Sequence, residues 1–159
     1  MNAALVKRLL LTACFSLVAS LYSIKAQSVI TQQLLDYHEL KGLLLEHTPT
    51  VERILSMKQF KLASTKERPE SIIYAYKREN DSTQVLVRVR KSDGLVREIA
   101  WHEQPSTLGN LTHDAVYDGF VPVGGNSRYY NRFQKLALFV NYKLANENGV
   151  LPCILRAVE

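Results

Sequence analysis

The spacing of apolar positions changes character along this chain, and each change marks an element. Leu9 to Ile24 is a mostly apolar run of sixteen residues, with Thr12, Ser16, Ser20 and Ser23 among its hydrophobes. From Ser28 to Glu46, Val29, Ile30, Leu34, Leu35, Leu40, Leu43, Leu44 and Leu45 recur near a helical period with no proline inside. That pattern predicts a helix, weakened in its last turn by Gly42. Thr48-Pro49 opens a shorter helix to about Lys58, because Thr is a favoured cap, Pro suits the first helical position and Glu52 falls in the electropositive first turn. From Phe60 the period becomes that of strands. Phe60–Ala63, Ser71–Lys77, Gln84–Arg90 and Leu95–Trp101 are rich in β-branched and aromatic residues, with Ser92-Asp93-Gly94 as the hairpin turn between the last two.

The same order then runs again. Thr107–Tyr117 reads as a short helix, Gly119-Phe120 opens a strand, Arg128–Phe133 and Leu136–Leu144 give two more, Asn148-Gly149 is a turn and Val150–Ala157 follows as the last strand. Phe60 matches Phe120, Tyr74-Ala75-Tyr76 falls near Tyr129-Tyr130, Val85–Val89 near Leu136–Val140, and Leu95–Trp101 near Leu151–Ala157. The offset is 60 residues at the phenylalanines and about 55 later, which a shorter loop at Gly124-Gly125-Asn126 accommodates. The expectation is a single α+β domain over 27–159. It would consist of an extra N-terminal helix (27–47) and two helix-plus-antiparallel-strand units (48–103 and 104–159), as a duplication would give, with the helices on one face of the sheet.

The first apolar run carries an address. Lys7 and Arg8 precede it, and Ile24-Lys25-Ala26 places a small residue before Gln27, so 1–26 is expected to be a cleaved export signal and the mature protein periplasmic or secreted. Sixteen residues fall short of the roughly 20 that span a bilayer, and no stable membrane span is expected after cleavage. Leu11-Thr12-Ala13-Cys14 also resembles a lipoprotein box, which would make Cys14 a lipidated first residue. That reading leaves only Leu9–Ala13 as apolar core, below the roughly 7 residues such cores need.

Cleavage changes the charge and the cysteine count. The whole chain has 20 Lys+Arg against 15 Asp+Glu, net +5; Lys7, Arg8 and Lys25 leave with the signal, so the mature balance is 17 − 15, or +2. A nucleic-acid partner is excluded on that ground, since no basic stripe remains. Cys153 is then the one thiol left, no internal disulfide can form, and a hydrophobic core must hold the remaining 159 − 26 = 133 residues. Cys153 sits in the apolar strand Val150–Leu155 and reads as a small buried hydrophobe.

Strand parity offers one candidate surface. Val85, Val87 and Val89 share one face of their strand, and Leu86, Arg88 and Arg90 the other. In the Leu136–Leu144 segment, Leu136, Leu138, Val140, Tyr142 and Leu144 form the apolar set, which sends Phe139 to the opposite face. Arg88, Arg90 and Phe139, with Tyr74, Tyr76, Trp101 and Tyr130 beside them, are of the residue types that dominate protein interfaces. The competing expectation packs Phe139 and the tyrosines beneath the N-terminal helix. Parity breaks in Leu95–Trp101, where Arg97 falls in register with Leu95, Ile99 and Trp101; a bulge is expected there, and the facing of Trp101 stays open.

Chemistry is sparse. His38, His47, His102 and His113 are scattered, and no metal-ligand, nucleophile or phosphate-loop motif stands in the chain. No catalytic residue, metal or cofactor is therefore expected. The chain resembles tandem-repeat secreted proteins of the β-lactamase-inhibitor-protein-like class, to which small outer-membrane assembly lipoproteins of the SmpA/OmlA type are similar in architecture. The resemblance rests on the order helix–Phe–strands in both halves of Thr48–Glu159. It implies a non-enzymatic module whose open sheet face engages another protein or an envelope component. Two alternatives remain: a small-ligand carrier with a pocket between the N-terminal helix and the sheet, and an enzyme using the His102 and His113 region.

Overall fold

The computed structural model describes residues 35–79, 83–125, 127–145 and 149–158. The export signal, Cys14, the Ser28–Leu34 portion of the expected first helix, and Asn148 lie outside these residues. The described part is an α+β fold with eight antiparallel strands and three α-helices.

Helix α1 is short, Tyr37–Gly42, because its start is fixed locally. The Asp36 side chain accepts from the Glu39 N–H at 2.8 Å and the Asp36 N–H donates to the Glu39 carboxylate at 3.1 Å, a reciprocal capping box. The expected continuation to Glu46 fails at Leu45, whose φ of 64° turns the chain so that its N–H donates to the Val96 carbonyl. Helix α2 spans Thr48–Met57 with Pro49 in its first turn. Its N-cap is His47 rather than the expected Thr48, since the bridge between His47 and Leu95 already holds that residue extended.

Four strands follow, β1 (Phe60–Glu67), β2 (Ser71–Arg78), β3 (Gln84–Arg90) and β4 (Val96–Glu103). Strand β1 runs four residues beyond the expected Ala63, through polar Ser64 to Glu67, because pairing with β2 continues past a register shift between Leu62 and Ser64. Helix α3 (Leu108–Tyr117) precedes β5 (Val121–Pro122), β6 (Arg128–Asn131), β7 (Leu136–Val140) and β8 (Leu151–Ala157). The expected strand Leu136–Leu144 stops at Val140. Tyr142–Leu144 winds into a 3-10 turn that the Asn141 side chain caps, so Tyr142 and Leu144 are exposed and not part of the apolar set. Strand β6 likewise ends at Asn131, before Phe133, where a turn begins.

The strands lie in the order β1-β2-β3-β4-β8-β7-β6-β5, two meanders joined where β4 pairs with β8. The expected bulge is present: Arg88 pairs with Glu98 but Val89 with Val96, leaving Arg97 unmatched. The skip restores parity, so Val85, Val87 and Val89 share a face with Trp101, Ile99 and Val96. Across the seam that face continues through Cys153 and Leu155 to Val140 and Leu138. All of these join one buried cluster with Leu40, Val51 and Leu55 of the first two helices, Leu43 at the end of α1, and Leu111 and Ala115 of α3. Burial of each large aliphatic side chain contributes about 1.5–3 kcal/mol.

Candidate interaction surface

The opposite face of the sheet is built by the same alternation. Register places Ile73, Arg88, Glu98, Arg156, Ala137 and Tyr130 in one row across six strands. The neighbouring row reads Ala75, Leu86, Ala100, Ile154, Phe139 and Arg128. A polar row therefore lies beside an apolar one, both crossing the β4–β8 seam.

Glu98 organises the first row. One of its oxygens accepts from Arg88 Nη2 at 3.0 Å and the other from Arg156 Nε at 2.9 Å. Glu98 is 8% exposed, while the two arginine side chains are 45% and 47% exposed. One carboxylate thus serves two half-open guanidiniums. The trio carries one net positive charge, and each guanidinium has more N–H donors than Glu98 can take. Arg156 also lies over Phe139, its guanidinium carbon 5.4 Å from the ring centroid, and this holds the ring of a half-buried aromatic in place on the face. Leu86, 37% exposed, completes an apolar strip with Ala100 and Ile154.

Of the residues singled out from sequence, Arg88, Phe139 and Tyr130 stand together on this face. Arg90 shares their parity but is occupied at the strand's end, where its Nη2 donates to Asp93 at 2.6 Å and Arg97 donates to the same oxygen at 2.7 Å. Partial desolvation pushes the Asp93 carboxyl up, but bonds from the Leu95 N–H and Arg90 outweigh it and hold the group below the usual carboxylate range. This knot fixes the turn that precedes the bulge.

Tyr74, Tyr76 and Trp101 do not stand beside the arginines. Register puts them on the face of Val85 and Val87, and Tyr76 and Trp101 are 2% and 6% exposed. Tyr76 and Trp101 are core residues and the half-buried Tyr74 packs against the core, because alternation from Ala75 and Ala100, which sit on the arginine face, sends their neighbours inward. The Trp101 indole N–H donates to Glu103 at 2.9 Å, which satisfies its polar atom there. Burial, and then the Glu103 charge, pushes the Cys153 thiol up to about 12, so it is a neutral packing group at physiological pH.

Glu98 and Arg156 were missed by sequence reasoning. For Glu98 the signal lay in the bulge, since without the one-residue skip at Arg97 it falls on the wrong face, and for Arg156 it lay in the alternation with the buried Cys153 and Leu155 of β8.

His102 and His113 are both exposed, the first on β4 opposite Pro152, the second on α3 with its Nδ1 3.4 Å from Asp114. Among the described residues, no three His, Cys, Asp or Glu side chains gather closely enough to hold a metal ion. An open concavity of about 320 Å³ lies over the ends of β1 and β2, lined by Lys61, Leu62, Ala63, Lys77, Arg78 and Glu79. No helix among the described residues is long and apolar enough to cross a membrane. No protein family, curated protein or solved structure matches the chain.

Proposed function

We propose that this chain is an exported, non-enzymatic interaction module that engages a protein or envelope component through the sheet face carrying Arg88, Glu98, Arg156 and Phe139. The observation that carries the reading is that ladder: two guanidiniums held by one buried carboxylate beside an apolar strip, one of them lying over the aromatic ring of Phe139. Arg and aromatic side chains fixed in place before binding lose little entropy on contact and make strong anchors. The spare donors suit a partner that presents a carboxylate beside apolar side chains. Export rests on Lys7, Arg8 and the apolar run before Ala26.

The architecture is read in the same terms. A duplicated unit of helix and four strands, α2 to β4 and α3 to β8, accounts for a strand order that is a mirrored pair of meanders. The helices would cover the Val87–Ile99–Leu155–Leu138 face and leave the arginine face for the partner. Such an arrangement is what the resemblance to tandem-repeat secreted inhibitors and assembly lipoproteins implies.

A photo-reactive residue replacing Leu86 should cross-link one partner in the producing cell, and the same residue at Asn110, on the solvent side of α3, should not. Arg88→Ala and Arg156→Ala each leave Glu98 one partner, so both variants should fold, and each should weaken the captured complex about tenfold. Equal cross-linking from both positions, or undiminished binding by both variants, would rule this face out.

A further inference from the structure

The end formed by α3 and the β6–β7 turn bears the most exposed large hydrophobes among the described residues. Phe133 is 96% exposed in the four-residue turn Arg132–Lys135, and Tyr117 is 86% exposed at the end of α3, next to Val116 at 53%. One side chain fixes the two segments side by side. Asn131, 2% exposed, donates from Nδ2 to the Asp118 carbonyl at 2.7 Å and accepts the Gln134 N–H on Oδ1 at 2.9 Å. A buried amide with both ends bonded makes a stiff brace, so the aromatics are held out in water by built structure.

The charges flanking Phe133 share one sign, while the half-exposed Asp114 lies one helical turn before Tyr117 with its Oδ1 3.4 Å from His113 Nδ1. Arg132 and Lys135, at the two ends of the turn, are exposed and form no ion pair among the described residues. Asp118, the acid in the adjoining turn, is already matched by Lys41 Nζ at 2.6 Å. Side chains standing this clear of the surface enclose no cavity, so a small molecule has nothing to enter. An apolar, aromatic tip with a cationic collar fits a planar surface with a greasy interior and an anionic skin.

We propose that this tip contacts lipid: Phe133 and Tyr117 enter the interface of an anionic bilayer, while Arg132 and Lys135 meet its headgroup phosphates. Phe and Tyr rings settle at the boundary of headgroups and acyl chains, and basic side chains lay their stems along apolar surface while keeping their charge at the phosphates. The arginine ladder faces a different direction of the sheet and is not needed for this contact.

The test places a reporter at the tip of the full chain. Phe133→Trp changes a residue that packs against nothing, and Trp101, buried and constant, serves as the internal reference. With vesicles of mixed phosphatidylglycerol and phosphatidylcholine, the new indole's emission should shift to the blue and be quenched by brominated acyl chains. With phosphatidylcholine alone it should stay at its value in buffer. Adding R132E and K135E to the same chain should remove most of the quenching, even if another segment still holds the protein on the vesicle. Unchanged emission with anionic vesicles, an equal shift with neutral ones, or quenching untouched by the charge reversal would overturn the proposal. A blue-shifted emission without vesicles would overturn it too, by showing that protein rather than lipid covers the tip.

Discussion

At the residue scale, ionised side chains here act chiefly by fixing elements against one another. Asp118 shows how. Burial pushes its carboxyl up, but the bond from Lys41 and the charges of Lys41 and His38 outweigh that and hold it below the ordinary value of 3.8. The same carboxylate, after burial itself, helps push the neighbouring Tyr37 hydroxyl above its usual range. Because Asp118 is lowered in the folded chain, the unfolded chain takes up its proton first as pH falls. The pair's contribution is therefore complete at neutral pH, begins to fail as pH drops through about 4, and is gone once pH passes below the depressed native value. Asp118→Asn should cost about 1–2 kcal/mol at pH 7, allowing for partial exposure, and should flatten the acid side of the stability curve. Urea melts of both proteins at pH 7 and pH 3 check this: the gap should narrow at the lower pH, and a constant gap would mean that shape rather than charge is lost.

At the element scale, two helices end alike with different residues. After α3, Gly119 takes φ of 88° and donates to the Val116 carbonyl, while Phe120 donates to the Ala115 carbonyl. This is a Schellman motif with Phe120 and Ala115 packed at its close. After α2, Gln59 takes φ of 66° in the same place, donates to the Ser56 carbonyl, and precedes Phe60. A side chain at that backbone angle costs about 1 kcal/mol that glycine does not. Gln59→Gly should therefore raise stability by about 0.5–1 kcal/mol, and Gly119→Ala should lower it by about 1–2 kcal/mol. Thermal unfolding of the two single variants against the parent measures both signs. The same junctions mark how far the sequence could be read. Phe60 and Phe120 announced the strands because each follows a helix stop, and alternation in Gln84–Arg90 set both faces of β3. The ends of α1 and of β7 were hidden, since Leu45 and Asn141 turn the chain through long-range bonds to Val96 and Pro152 that no local pattern carries. The pairing of Glu98 with both arginines was hidden for a related reason, because one unpaired residue, Arg97, decides which face every later β4 residue takes.

At the scale of the whole molecule, the β4–β8 seam decides whether the two meanders behave as one body. Trp101 pairs with Cys153 and Ile99 with Leu155 across it, and Glu98 bonds Arg156 on the other face, so the seam is tied on both sides. Each meander alone would expose the β4 or β8 edge, an apolar strand whose N–H and C=O groups lack partners. The core follows the same logic, since Ile99 of the first meander and Leu138 of the second belong to one buried cluster and neither is measurably exposed. If the cluster is one cooperative unit, damage on either side must be felt throughout. Ile99→Ala and Leu138→Ala should each cost about 2–5 kcal/mol, and each should move a single transition seen identically by Trp101 fluorescence and by far-ultraviolet dichroism. Two transitions, or a Leu138→Ala variant in which Trp101 keeps its native emission while half of the ellipticity is lost, would show that the halves fold separately and that the seam is only a docking contact. A single shared transition would mean that the arginine ladder, which crosses the seam, exists only in the fully folded chain, so loss of the proposed partner binding in destabilised variants should track the unfolded fraction.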